Sequence, residues 1–197
     1  MTPASRDLAR LVADIRACRI CADILAPNPV VRVSATAKIL IAGQAPGLRV
    51  HRSGVPFTDA SGDRLRAWMG VDSETFYDQS RVAVAAMAFC FPGYDAAGAD
   101  KPPPRVCAQH WRTRLMEQLP AAGLILLVGS YAQAWHLGEG AKSNMTQTVR
   151  AWRGYGPRHI PLPHPSWRNN GWLKKNPWFE TELLPVLRRR VRRALSS

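Results

Sequence analysis

Short segments made almost wholly of apolar residues recur along the chain and alternate with segments of helical periodicity. The apolar segments predict buried strands at residues 38–42, 82–91, 123–129 and 158–162. The segments around them predict helices at residues 5–17, 61–70, 105–119, 130–137 and 177–195, with Ser5 and Ser61 as N-caps. Strands that are apolar throughout and alternate with helices form mostly parallel sheets covered on both faces. The sequence therefore predicts an α/β fold, in which ligands bind beyond the carboxyl ends of the strands.

An excess of basic residues indicates the class of partner. The 197 residues include 27 Lys and Arg against 14 Asp and Glu, a net charge of +13. A basic surface attracts a polyanion because each neutralised phosphate releases condensed counterions. Nucleic acid is favoured as the partner over the alternative, a basic surface that only keeps the protein soluble.

Length and hydropathy predict one domain spanning residues 1–197. No apolar stretch reaches the length of a membrane span, and the N-terminal segment lacks the apolar run of a signal peptide. A cytoplasmic protein is expected, in which structural disulfides are rare.

The four cysteines form two pairs, Cys18-x2-Cys21 and Cys90-x16-Cys107. The first pair places two thiolates close enough to share a metal centre, and the second flanks a loop that can return both sulfurs to one place. Four thiolates suit either a zinc ion or a [4Fe–4S] cluster. The second Cys-x2-Cys knuckle of the common zinc spacing is missing. Four unrelated buried cysteines are the third interpretation.

Three further motifs stand in order along the chain: Gly43-Gln-Ala-Pro-Gly47, Gly54-Val-Pro-Phe57 and His164-Pro-Ser166. Together with the cysteines they resemble the uracil-DNA glycosylase superfamily, in particular its iron–sulfur branches. The segment from His164 to Trp172 is also similar to the single-strand-selective monofunctional branch.

The resemblance implies a three-layer α/β/α fold with a central, mostly parallel four-stranded sheet. It implies that the four cysteines hold a structural [4Fe–4S] cluster, with zinc as the alternative. It further implies a monofunctional DNA glycosylase, expected as a monomer, that hydrolyses the N-glycosidic bond of a damaged base flipped out of DNA.

The resemblance also assigns roles at the site. Phe57 matches the aromatic on which the base stacks, and His164 matches the donor that steadies the departing base anion. The small residues Gly43, Ala45 and Gly47 let the backbone approach the ligand closely.

The water-activating carboxylate departs from the family pattern. The nearest iron–sulfur branch has Glu where this chain has Gln44, and an amide can orient water but cannot take its proton. We expect Asp59 to act as base or as stabiliser of the sugar cation, with Gln44 positioning water and Asp63 as the fallback. The alternative for Asp59 is a carboxylate that serves only the start of the following helix.

A second departure concerns specificity. The uracil-selective branch has Asn at the position of Ala86, where its amide reads the pyrimidine edge. Losing that contact relaxes selectivity, so the expected substrates include hypoxanthine and xanthine besides uracil.

The segment after the His-Pro-Ser motif mixes aromatic, basic and flexible residues, which suits a loop inserted into a DNA groove. The residues expected to contact DNA are Ser166, Trp167, Arg168, Asn169, Lys174 and Lys175. An alternative function is a protein of the same fold that binds damaged or single-stranded DNA without catalysis.

Overall fold

A central sheet of four strands organises the protein. The computed structural model describes residues 3–196. Its strands are β1 (Ile39–Ala42), β2 (Val82–Val84), β3 (Leu124–Val128) and β4 (His159–Leu162). Neighbouring strands are all parallel, in the order β2-β1-β3-β4. The predicted α/β fold with a four-stranded parallel sheet is confirmed, and the carboxyl ends of the strands lie together at one edge.

Helices surround the sheet and connect its strands. They are α1 (Pro3–Ala17), α2 (Leu48–Ser53), α3 (Ala60–Met69), α4 (Ser73–Tyr77), α5 (Arg105–Glu117), α6 (Ser130–Leu137), α7 (Met145–Arg150), α8 (Asn170–Lys175) and α9 (Leu184–Leu195). Among residues 3–196, no helix is both long and apolar enough to cross a membrane.

Alternating side chains of β1 pack into two separate cores. Ile39 and Ile41 belong to the core that α3 and α9 cover. Leu40 and Ala42 belong to the core that α1 and α5 cover. Successive side chains of a strand point to opposite faces of the sheet, so a strand that is apolar at every position is buried on both sides. The result is the three-layer α/β/α arrangement.

The predicted strand at 82–91 is too long, since β2 ends at Val84. The chain then follows the end of β1: the amide of Met87 donates to the carbonyl of Gly43 at 2.9 Å, and that of Ala88 donates to Gln44 at 3.1 Å. The ladder stops because β1 itself ends at Ala42. Residues just beyond β2 stay buried, which is why the sequence pattern looks like a longer strand.

Both predicted N-caps are wrong. Helix α1 already includes Pro3, so Ser5 lies within it. Helix α3 begins at Ala60, and Asp59 caps it in place of Ser61. The predicted final helix is divided into a π-helical turn at Phe179–Leu183 and the helix α9. Proline at the start of α9 cannot donate the backbone hydrogen bond that would continue a regular α-helix from the preceding turn.

Candidate active site

A cavity of about 670 Å³ opens at the carboxyl edge of the sheet. This volume is in the range of small-molecule sites. The site residues predicted from sequence that line it are Gly43, Gln44, Ala45, Gly47, Phe57, Asp59, Ala86, His164, Ser166, Trp167, Arg168 and Asn169. They come from distant parts of the sequence, and the parallel topology brings them to one place because every strand ends at the same edge.

Phe57 is held in an unusual backbone conformation at the cavity wall. Its φ of 57° lies in the left-handed region that non-glycine residues rarely adopt. Its carbonyl oxygen accepts hydrogen bonds from the Tyr77 hydroxyl at 2.7 Å and from Arg66 Nη1 at 3.2 Å. Strained backbone persists only where its surroundings hold it, and these two bonds do so here.

The ring of Phe57 forms one side of a narrow slot. A Cβ atom placed on Gly43 would lie 4.0 Å from Phe57 Cζ and 4.0 Å from the Cβ of Ala86. The aromatic ring and Ala86 therefore both approach Gly43, with no side chain between them at that position. A planar ring could stack on Phe57 while its edge approaches the backbone of Gly43.

His164 follows β4 and is held by its own loop. The amide of Ser166 donates to its Nδ1 at 3.3 Å, and the Asn169 side-chain amide donates to its carbonyl oxygen at 2.7 Å. In the neutral ring that accepts at Nδ1, the proton is on Nε2, which is then a donor. Burial lowers the pKa of His164, against the opposing effect of the Asp59 and Asp100 carboxylates. The imidazole is neutral at pH 7.

Asp59 has two contacts that bear on its role. Its Oδ1 accepts the amide of Gly62 at 3.2 Å, so it caps α3, and it also lines the cavity. Asp59 therefore caps the helix, as one interpretation predicted, and also lies at the cavity, as the catalytic interpretation requires. Asp63 does not line the cavity: its side chain is 77 % exposed and pairs with Arg66 at 2.6 Å.

The segment expected to insert into DNA is mostly helical, where the sequence predicted a flexible loop. A 3-10 turn spans Trp167–Asn169, and α8 follows directly. Trp167 is 71 % exposed at the rim of the cavity, and the Arg168 guanidinium lies 5.4 Å from the centre of its ring. Lys174 and Lys175 are exposed at the end of α8 and do not line the cavity.

The sequence matches a known family along most of its length. The model of the Uracil DNA glycosylase superfamily matches residues 31–188. The match includes all four strands and every motif at the cavity. The chain belongs to the uracil DNA glycosylase superfamily. Membership implies DNA glycosylase activity in general terms, with DNA as the substrate.

Three residues that line the cavity of this superfamily member were not predicted from the sequence: Arg49, Tyr94 and Asp100. Arg49 belongs to the short helix α2, and the other two lie in the loop between Cys90 and Cys107. A single carboxylate in a polar loop has no periodicity or spacing that marks it. Only the tertiary structure brings this loop against the His-Pro-Ser segment.

The four cysteines of this glycosylase-superfamily chain line a second, apolar pocket, together with residues such as Pro27 and Trp111. None of the four forms a disulfide bond. The pKa of Cys107 is raised to about 12, first by burial and then by repulsion from the other three sulfurs. Among residues 3–196, no group of three or more His, Cys, Asp or Glu side chains could hold a single metal ion. The structure brings the four cysteines to one pocket.

Arg112 lies five residues after Cys107 on α5. It is 1 % exposed, and no carboxylate forms an ion pair with it within residues 3–196. Its Nη1 donates to the Ala85 carbonyl at 2.7 Å, and its Nη2 lies 2.7 Å from His136 Nε2. Burial lowers the pKa of Arg112 to about 10, and the neighbouring Cys107 sulfur opposes this effect. A buried cation without an acidic partner is costly.

Proposed function

We propose that the protein is a monofunctional DNA glycosylase that removes deaminated bases, namely uracil, hypoxanthine or xanthine, by hydrolysing the base–sugar bond. The observation that carries this proposal is the convergence on one cavity of an aromatic platform (Phe57), a neutral donor (His164) and a carboxylate (Asp59). We expect one domain over residues 1–197 that acts as a cytoplasmic monomer; residues 1, 2 and 197 lie outside the described range.

In the proposed reaction the flipped base stacks on Phe57 and its carbonyl oxygen accepts a hydrogen bond from His164 Nε2. The C1′–N bond breaks, its electron pair leaves with the base, and the sugar becomes cationic. Water held by the Gln44 amide adds to C1′, and its proton passes to a carboxylate. Loss of one such donor to a developing anion commonly slows catalysis by about 10²–10³-fold. The neutral state of His164 suits this role, because a donor of this kind needs no prior protonation.

The slot between Phe57, Gly43 and Ala86 supports a broad substrate range. Ala86 offers no hydrogen bond to a base edge, so the side chain there does not discriminate between a pyrimidine and a purine. Selectivity built on a hydrogen-bonding side chain is strong because the wrong base leaves that group unpaired. A pocket without such a side chain at this position discriminates less strongly between pyrimidines and purines.

We propose that DNA is held by the segment from Ser166 to Lys175. Trp167 and Arg168 at the rim are placed to occupy the gap that a flipped base leaves, and Asn169 stabilises the loop of His164. Lys174 and Lys175, further from the cavity, suit contacts to phosphates. The nitrogen Nη1 of Arg64 donates to the Ser166 carbonyl at 3.0 Å and ties this segment to α3.

We also propose that Cys18, Cys21, Cys90 and Cys107 hold a structural [4Fe–4S] cluster, which would assign the chain to an iron–sulfur branch. A zinc ion held by four sulfurs is the alternative, and the missing second Cys-x2-Cys knuckle disfavours it. The four cysteines that line the apolar pocket are the residues that would hold the cluster. Its negative charge would also compensate the buried Arg112. The cluster takes no part in the bond cleavage.

The test is a strand-scission assay on anaerobically purified protein. The substrates are single- and double-stranded oligonucleotides carrying uracil, hypoxanthine or xanthine, with alkali to cleave the abasic product. We expect scission that is lost in His164→Ala, with iron, sulfide and visible absorption present in the preparation. A protein that keeps its iron and binds DNA but forms no abasic product from any substrate would support the alternative, recognition of damage without repair.

A further inference from the structure

Asp100 reaches the cavity at the end of a miniature hairpin. Tyr94 and Asp100 form an antiparallel bridge, and the amide of Lys101 donates to the Gly93 carbonyl at 2.9 Å. The turn is closed by the side chain of Asp95, whose Oδ1 accepts the amides of residues 97 and 99 at 2.9 and 2.8 Å. These bonds order the loop between the third and fourth cysteines and set Asp100 at the cavity wall.

The carboxylate of Asp100 is free where that of Asp59 is engaged. Within residues 3–196, no hydrogen bond or ion pair involves the Asp100 side chain. One carboxylate oxygen of Asp59 already accepts a hydrogen bond from the Gly62 amide. Both oxygens of Asp100 are therefore available to a water molecule in the cavity.

Both carboxylates act on the same histidine. The charges of Asp59 and Asp100 each raise the pKa of His164. Burial lowers this pKa more strongly, and the charge of Arg168 lowers it as well. Asp100 is therefore close enough to His164 for its charge to be felt. The residue that would activate water in the first loop is the amide Gln44, which cannot accept a proton, so the site needs a base from elsewhere.

We infer that Asp100 is the water-activating carboxylate of this site, with Asp59 stabilising the cationic sugar from the start of α3. This inference rests on the proposed glycosylase function. As the C1′–N bond breaks, the base departs as an anion with the bonding pair. The oxygen of water bonds to C1′, and the proton that this water loses passes to the Asp100 carboxylate. Asp100 then returns the proton to solvent, so the enzyme is unchanged after one turnover.

The experiment compares Asp100→Asn with the wild type in single-turnover cleavage of the preferred lesion. A general base contributes about 10²–10⁴-fold, so we expect the rate at neutral pH to fall by at least about 10². Binding to an oligonucleotide with a tetrahydrofuran abasic analogue is expected to be unchanged or tighter, because the variant removes a negative charge from the wall of the cavity. Asp14→Asn, on the exposed face of α1, is the matched control for loss of one carboxylate.

Two further measurements separate a base from a structural residue. The pH–rate profile of the wild type should lose its acidic limb in Asp100→Asn, and Asp100→Glu should restore part of the rate. A thermal midpoint unchanged from wild type shows that the hairpin is intact. A rate within about threefold of wild type, or weakened binding with normal turnover, overturns the inference while the glycosylase proposal stands. A wild-type protein inactive on every lesion overturns both.

Discussion

Replacing Gly62 by Ala tests whether the backbone strain at Phe57 is held by its surroundings. A Cβ atom at position 62 would lie 1.8 Å from the Phe57 carbonyl oxygen and 2.9 Å from the Phe57 Cβ. Side-chain Cβ contacts closer than 3.0 Å are essentially never seen, so the two backbones must separate by at least about 1.2 Å. Because Gly62 is held within α3, the Phe57 carbonyl has to move, which breaks its two hydrogen bonds.

The magnitude follows from what that movement breaks. The Phe57 carbonyl loses a neutral bond from Tyr77 and a charge-assisted one from Arg66. Such bonds contribute about 1 and about 1.5–3 kcal/mol. Alanine offsets up to about 1 kcal/mol through its higher helix propensity. We expect a net destabilisation of about 1.5–3 kcal/mol, which for a chain of this size lowers Tm by roughly 3–12 °C.

Activity should fall further than stability predicts, because the aromatic platform moves out of register with the slot at Gly43. The assays are chemical unfolding and single-turnover cleavage below the unfolding transition. Gly123→Ala is the control, since a Cβ there meets nothing within 4 Å. Tyr77→Phe removes only the neutral hydrogen bond to the Phe57 carbonyl, so it should lower the free energy of unfolding by about 1 kcal/mol. If Gly62→Ala is as stable and as active as Gly123→Ala, the explanation of the Phe57 conformation is wrong.

Three further predictions concern the pocket, the cysteines and pH. Ala86→Asn should shift the ratio of the cleavage rates of uracil and hypoxanthine by about tenfold or more in favour of uracil. The ratio is measured with the two substrates in competition. An unchanged ratio would mean that the side chain at position 86 does not contact the base. Arg112→Met should release iron to a chelator faster than Arg114→Met on the same helix, because it removes the buried positive charge near Cys107. Equal release rates would mean that the charge of Arg112 does not stabilise the metal centre. The pKa of His136 is lowered to about 2, first by burial and then by Arg112, so below about pH 6.5 the unfolded chain takes up a proton that the folded protein does not. Stability should fall with decreasing pH by up to about 1.4 kcal/mol per unit from this residue, and urea titrations of His136→Gln should show a shallower decline; an unchanged slope would contradict the assignment.

Local sequence patterns were sufficient to predict the fold class. The all-apolar segments at β1 and β3 predicted buried strands because only a strand covered on both faces is apolar at every position. Hydrophobic periodicity likewise predicted α1 and α5. Boundaries were less accurate where burial persists beyond the hydrogen-bonded ladder, as after Val84. The short helices α2, α4, α7 and α8 were missed because one or two turns carry too little periodicity to detect.

The functional site, like the fold, was predicted only in part from the sequence. The sequence by itself determined which residues belong to the three motifs, and so predicted Phe57 and His164 at the reaction site and the four cysteines as a separate metal centre. Only the tertiary structure decided that Asp59 caps a helix while facing the cavity, and that Asp63 turns away to Arg66. It alone brings Asp100 into the site, because the loop between Cys90 and Cys107 folds into a hairpin against the cavity. The physical reason is that a motif records which residue types stand next to each other in sequence, whereas the proton affinity and reach of a carboxylate depend on its neighbours in space.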